Sequence, residues 1–155
     1  MLQDAGAYPG TGAILPMIGQ WMATGVYDIA GLEFSSQSVV TNTTPTVAYR
    51  GAGRPEGGAH IDRAVDLFAA EVGLDPLEVR RKNLRRADEL PYTNVTGLFY
   101  DSGDYHEALE LAVSQVGYDE VKAEQAARRT SGATKQLGIG LSTFIDRTAG
   151  VPGAE

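Results

Sequence analysis

Apolar residues recur along this chain with two different periods, and the changes of period divide it into elements. Over residues 11–23, Ile14, Leu15, Ile18, Trp21 and Met22 stand three and four apart, which predicts a short helix with Pro16 in its first turns. Between residues 26 and 40 the strand formers Tyr27, Ile29, Phe34, Val39 and Val40 are interrupted by Gly31 and by serines, so one or two strands are expected. Residues 41–45 read as a loop. A second helical pattern opens at Pro55, carries Ile61, Ala64, Val65, Phe68 and Val72 on one face, and stops at Gly73.

Asp75-Pro76-Leu77-Glu78 combines an N-cap, a proline at the first helical position and a capping acid, so another short helix should run to about Asn83. Asp104 and Glu107 repeat the capping box ahead of Tyr105, Leu109, Ala112, Val113 and Val116, the expected buried face of a helix that Gly117 ends. Asp119 is the expected cap of a further helix to about Arg129. The stretch Leu137-Gly138-Ile139-Gly140-Leu141-Ser142-Thr143-Phe144-Ile145-Asp146 alternates apolar with small or polar residues, the period of a strand with one buried face; Phe144 breaks the alternation. A strand followed only by the glycine-containing residues 150–155 reads as a domain cut short. Mixed helices and strands make the expected fold class α+β.

Bulk composition narrows the partners. With 155 residues, 43% hydrophobic and 21% charged, the chain has ordinary globular composition and length for one core, so one domain or part of one is expected. A formal charge of -7 argues against nucleic acid. The cluster Arg80, Arg81, Lys82, Arg85 and Arg86 has no interleaved aromatic residues and is expected on a solvated helix face.

Without cysteine the chain holds neither a disulfide nor a thiolate-ligated iron–sulfur cluster, and only His60 and His106 offer imidazole, so no metal site is expected within it. Both histidines are expected at helix surfaces, although His60 also lies where it could face a bound phosphate. The N-terminal residues lack a basic segment followed by an apolar run, and no stretch reaches membrane-spanning length, which predicts a cytoplasmic protein. Asn42-Thr43-Thr44 and Asn94-Val95-Thr96 match the glycosylation triplet, a pattern too common by chance to carry weight.

Residues 50–56 carry the candidate chemistry. They read as a strand end, a glycine turn and a proline-opened helix. Gly51 and Gly53 allow backbone angles closed to other residues and close approach of another molecule. The helix start favours an anion, and Arg50 and Arg54 add positive charge beside it. From this pattern alone, an anion site and a plain turn with two solvated arginines are equally good readings.

Asn42-Thr43-Thr44-Pro45 leading into Ala48-Tyr49-Arg50-Gly51-Ala52-Gly53-Arg54-Pro55-Glu56 resembles the cofactor-facing loop of the molybdenum hydroxylase large subunits, the family of xanthine dehydrogenase, aldehyde oxidase and carbon monoxide dehydrogenase. Asp4-Ala5-Gly6-Ala7-Tyr8, Asp75-Pro76-Leu77-Glu78-Val79-Arg80-Arg81-Lys82-Asn83, Leu90-Pro91-Tyr92, Tyr100-Asp101-Ser102-Gly103-Asp104-Tyr105 and Gly138-Ile139-Gly140 follow in the family's order. The resemblance implies that residues 1–155 are an internal fragment of a larger molybdopterin-binding domain. It also implies a molybdenum–pterin cofactor, as molybdopterin or its cytosine dinucleotide. Iron–sulfur clusters and FAD would lie on partner subunits or domains, in agreement with the missing cysteines.

By position, the resemblance places Arg50 and the backbone of Gly51 and Ala52 at the molybdenum side of the cofactor, with Gly53 shaping the turn. It implies hydroxylation of an aldehyde or N-heterocycle carbon with water-derived oxygen. Relatives that oxidise carbon monoxide at a copper–molybdenum site carry cysteine where this chain has Gly51, and a glycine gives copper no ligand. Purine-oxidising relatives carry phenylalanine at the position of Ala52, and alanine has no ring to stack on a purine. The family's general-base glutamate and an earlier glycine–phenylalanine loop have no counterpart here, so no catalytic residue is expected in this chain. Glu56, Glu71 and Glu78 are assigned to capping or solvent, and Asp146 to a structural role. A non-catalytic scaffold that binds an anion or a partner is the competing reading. As a fragment, the chain is expected to leave core faces uncovered and to self-associate.

Overall fold

The computed structural model describes residues 1–146, so the stretch at 150–155 lies outside the described residues. β1 (Leu2–Asp4) pairs in parallel with β2 (Gln37–Val39), in the register Leu2 with Gln37 and Asp4 with Val39. Between them lie a 3-10 turn at Thr11–Ile14 and α1 (Leu15–Trp21), with Pro16 in the first turn of the helix. The helix expected over residues 11–23 is therefore broken into a tight turn and a shorter helix. Of the predicted strands over residues 26–40 only β2 forms; Tyr27 contributes an isolated bridge to Leu84, and the rest is irregular.

α2 (Arg54–Val72) is the long helix, and it ends as predicted with Gly73 left-handed at φ 69°. It lies on α1 because two glycines one turn apart, Gly53 at its N-cap and Gly57 within it, remove the side chains that would hold the helices off. A Cβ on Gly53 would stand 2.7 Å from Leu15 O and 3.0 Å from Gly19 N, and one on Gly57 would stand 2.9 Å from Met22 Cβ. Ile61 and Val65 pack on the core, but Ala64, Phe68 and Val72 of the predicted inner face are exposed; Asp62 and Ala69 are the residues buried instead. The helix axis is rotated toward a polar centre that hydrophobic periodicity does not detect.

α3 (Pro76–Asn83) starts as expected, with Asp75 Oδ1 accepting from the Leu77 amide at 2.8 Å. β3 (Tyr92–Thr93) and β4 (Phe99–Tyr100) then form a short antiparallel hairpin that the hydrophobic pattern did not reveal. Asn94 builds its turn: Oδ1 accepts from the amides of Thr96 and Leu98, and Nδ2 donates to Thr24 Oγ1 at 3.0 Å. A triplet asparagine this buried and bonded is a structural residue. α4 (Tyr105–Val116) is capped by Asp104, which accepts from the Glu107 amide at 2.9 Å. Only Leu109, with half-buried Tyr105 and Val113, forms its inner face, while Ala112 and Val116 are exposed. α5 (Tyr118–Thr130) has Gly117 at its N-cap, so Asp119 is a first-turn residue rather than the cap.

Residues 137–146 are not a strand. Their side chains alternate between half-buried and exposed, with Ile139, Leu141 and Ile145 on the core and Phe144 72% exposed, as the period of two requires. No strand among the described residues pairs with them, and polar side chains hold the segment instead. Arg80 Nη2 donates to Leu141 O at 2.8 Å, and Asp62 Oδ2 accepts from Ser142 Oγ at 2.7 Å and from the Thr143 amide at 3.2 Å.

Arg80 itself is fully buried, which corrects the expectation that its cluster faces solvent. Its guanidinium meets Asp62 at 3.1 Å and Asp66 at 2.8 Å. Burial opposes its charge, yet Asp66 and Asp62 outweigh burial and hold it above the usual arginine range. Tyr27 completes this centre by donating to Asp62 Oδ1 at 2.7 Å, and burial pushes its phenol well above the usual value. The other arginines of the cluster are also matched: Arg81 to Glu78 and Glu110, Arg85 to Asp28 and Glu89, and Arg86 to Asp88. Arg85 also stacks 3.6 Å over the Tyr92 ring.

Candidate functional site

Two segments far apart in sequence are joined to each other ahead of the loop that precedes α2. The block from Asp4 to Tyr8 is zippered to residues 39–46 by Ala5 N to Val39 O at 2.8 Å, Ala7 N to Thr43 O at 3.1 Å and Thr41 N to Gly6 O at 3.2 Å. Asp4 is the knot. Its Oδ1 accepts from the Gly6 amide and from Thr41 Oγ1, both at 2.8 Å, and its Oδ2 from Thr43 Oγ1 at 3.3 Å. The Gly6 amide, then Thr41, hold this carboxyl below the usual aspartate range. Gly6 has φ 71°, and a Cβ there would lie 2.4 Å from Thr44 O, so only glycine lets the two segments touch.

The loop itself is wound in the left-handed region. Gly51, Ala52 and Gly53 follow one another at φ 88°, 35° and 88°, and Ala52 is the single non-glycine with positive φ among the described residues. The Ala52 amide donates back to Tyr49 O at 2.7 Å and the Arg54 amide to Gly51 O at 3.0 Å. Arg50 is exposed, Gly51 and Ala52 are half-buried, and Gly53 is buried against α1. The loop thus presents backbone at the surface while its last residue anchors it.

These details change the anion reading. Arg54 does not stand ready as a free cation: its Nη1 donates to Gly51 O at 3.1 Å, and its Nε lies 2.7 Å from Asp146 Oδ1. The Arg54 amide is turned onto Gly51 O and Pro55 has none, so the first turn of α2 has few amides left for a ligand. Arg50 keeps its positive charge beside the loop, with no carboxylate partner among the described residues. Among the loop amides named from the sequence, that of Gly51 has no backbone partner among the described residues, whereas that of Ala52 is engaged.

Other sequence candidates fall outside this loop. His60 is exposed on α2. His106, expected at the surface, is half-buried with Nε2 3.2 Å from Leu84 O. Glu56 and Glu71 are exposed and Glu78 pairs with Arg81 at 2.5 Å, in keeping with capping and solvent roles. Among the described residues no cluster of histidine and acidic side chains could hold a metal ion, and no helix is long and apolar enough to cross a membrane. Sequence reasoning passed over Asp4, Thr41 and Thr43 as organising residues. The signal for them was a short acid–glycine pair followed, far along the chain, by a threonine-rich loop.

In this α+β unit the left-handed loop before α2 is anchored on α1 through Gly53 and meets residues 137–146 through Arg54 and Asp146. The chain belongs to the molybdopterin cofactor-binding domain family, whose model matches residues 1–84. It is 42% identical over 128 residues, covering 81% of the chain, to the carbon monoxide dehydrogenase large chain of Hydrogenophaga pseudoflava. It is 35% identical over 123 residues, covering 79% of the chain, to the nicotine 6-hydroxylase large subunit of Paenarthrobacter nicotinovorans. Among solved structures it is similar to quinoline 2-oxidoreductase from Pseudomonas putida 86, with a TM-score of 0.76 and 31% identity over 84% of the chain. The chain spans only 16%, 15% and 17% of these proteins, respectively.

Proposed function

We propose that this chain is an internal part of a molybdenum hydroxylase large subunit, in which residues 50–53 face a molybdenum–pterin cofactor. The observation that carries the reading is the strained turn at Ala52, φ 35°, in a half-buried loop anchored by Gly53 on α1 and by Arg54. Backbone strain of this kind persists only where the surroundings impose it, and it gathers at ligand-binding turns.

The residues fit the cofactor. Arg50 offers an exposed guanidinium to an anionic group, the Gly51 amide is available as a donor, and Ala52 leaves room where a larger side chain would intrude. When bound, a molybdenum–pterin supplies both the oxygen donor and the two-electron acceptor for hydroxylation at carbon. The chain's own residues bind and orient. No carboxylate in the loop is placed as a general base: Glu56 lies on the helix surface, and Asp146 is committed to Arg54. The base, the iron–sulfur clusters and the flavin would come from other parts of the full subunit or from partners.

Substrate class follows from what the loop lacks. Gly51 offers no thiolate, and a Cβ placed there would press on the Pro55 ring at 2.8 Å, which opposes a copper-ligating side chain at this position. Ala52 has no ring for a purine. An aldehyde or an N-heterocycle held by other residues is the substrate class proposed. The full-length subunit, purified with its partners, is predicted to contain molybdenum and pterin and to oxidise such substrates. A complex free of both would overturn the reading in favour of a non-catalytic scaffold.

A further inference from the structure

The proposed cofactor loop needs a restraint on its conformation, and the opposite end of the described chain supplies one. Positive φ costs Gly51 and Gly53 little, but Ala52 between them does not keep it unaided. One support lies below, where Gly53 is wedged against the backbone of Leu15 and Gly19. The other is polar. The peptide joining Gly51 to Ala52 is held at both ends: its N–H donates to Tyr49 O at 2.7 Å, and its C=O accepts from the Arg54 amide at 3.0 Å and from Arg54 Nη1 at 3.1 Å.

Arg54 is in turn set by Asp146, 2.7 Å from its Nε. Asp146 ends the 137–146 segment, which is tied to α2 by Asp62 through Ser142 and Thr143 and to α3 by Arg80 through Leu141. The buried ionic centre and the loop are therefore joined by one continuous route of contacts. We propose that Asp146 and Arg54 are a positioning pair: Asp146 orients the guanidinium, and the guanidinium locks the Gly51–Ala52 peptide in the one orientation presented to the cofactor. Arg54 then serves the loop rather than the ligand, since a carboxylate already matches its charge. The proposal rests on the reading of residues 50–53 as cofactor-facing.

The test uses the full-length subunit with its partners, in the parent form and as Asp146→Asn, Arg54→Gln, the double variant and Asp146→Glu. Hydrogen exchange in the peptide covering residues 49–54 reads the clamp directly, and bound molybdenum and the split between kcat and KM read its consequence. Each single change should speed exchange in the loop by about ten-fold, as expected if the charge-assisted hydrogen bond from Arg54 Nη1 to Gly51 O is lost, directly in Arg54→Gln or through the missing ion pair in Asp146→Asn. The double variant should add nothing further, Asp146→Glu should recover part of the protection, and kcat should fall with little change in KM. Exchange unaltered in Asp146→Asn, or effects of the two residues that simply add, would overturn the pair. A parent complex without molybdenum would overturn the cofactor reading, and the exchange result would still decide whether the clamp exists.

Discussion

Arg80 and Asp62 meet at 3.1 Å in the interior, the guanidinium fully buried and the carboxylate nearly so, and through them α3 is joined to α2 and to residues 141–143. A buried pair is costly to break because each partner leaves the other charged and dry. Arg80→Met should cost about 3 kcal/mol of unfolding free energy, the low end for an orphaned buried carboxylate. Urea denaturation checks it. A loss within experimental scatter would mean that Asp62 and Asp66 reach water without Arg80.

Asp75 gives the fold an acid dependence. Burial raises its carboxyl, but Lys122, the Leu77 amide and the Tyr118 hydroxyl together lower it below the usual aspartate range. A folded-state pKa below the unfolded one contributes stability that is present above the unfolded pKa and lost as pH falls through the folded pKa. Asp75→Asn keeps a capping side chain but loses the charge that pairs with Lys122, so it should lower stability near neutrality by about 1 kcal/mol, and the gap to the parent should close as pH falls below roughly 4. Thermal melts across pH 3–7 measure it; a gap that stays constant with pH refutes the linkage.

At Ala52 the sign of a substitution separates strain from packing. Glycine should stabilise by roughly 0.5–1 kcal/mol, because relief of about 1–2 kcal/mol of left-handed strain exceeds the added chain entropy. Ala52→Val should destabilise, since a β-branched residue tolerates this φ worst. If Ala52→Gly instead destabilises, the methyl group packs better than its half-buried state implies.

The far part of α2 exposes Leu67 at 54%, Phe68 at 55% and Val72 at 46%, next to Leu74 at 43%. Apolar neighbours this exposed favour association. The isolated 155-residue chain is predicted to self-associate in light scattering, and Phe68→Lys to reduce its apparent mass. A monodisperse parent chain at all concentrations would count against it.

Much of this protein was legible before any coordinates. The caps at Asp75 and Asp104, the stop at Gly73 and the glycine turn at Gly51 and Gly53 are local events, decided within a few residues by proline, glycine and short acidic side chains, whereas the left-handed Ala52 between those glycines was not expected. The order of motifs along the chain pointed to the cofactor family that the family model then matched. Even the alternation over residues 137–146 held, although the strand did not, because alternation reports which side chains face inward and not whether a neighbouring strand exists.

What only the tertiary structure decided depends on partners distant in sequence. Arg80 looked like one solvated cation among several until Asp62, Asp66 and Leu141 O closed around it. Gly57 carried no signal of its own, yet it lets α2 reach α1 at Met22. Asp146 and Arg54 are paired across the length of the chain, which no local pattern encodes. Sequence alone determined the backbone conformations that single residues impose; charge pairing and close helix contact were settled only where folding removed water and brought the far residues together.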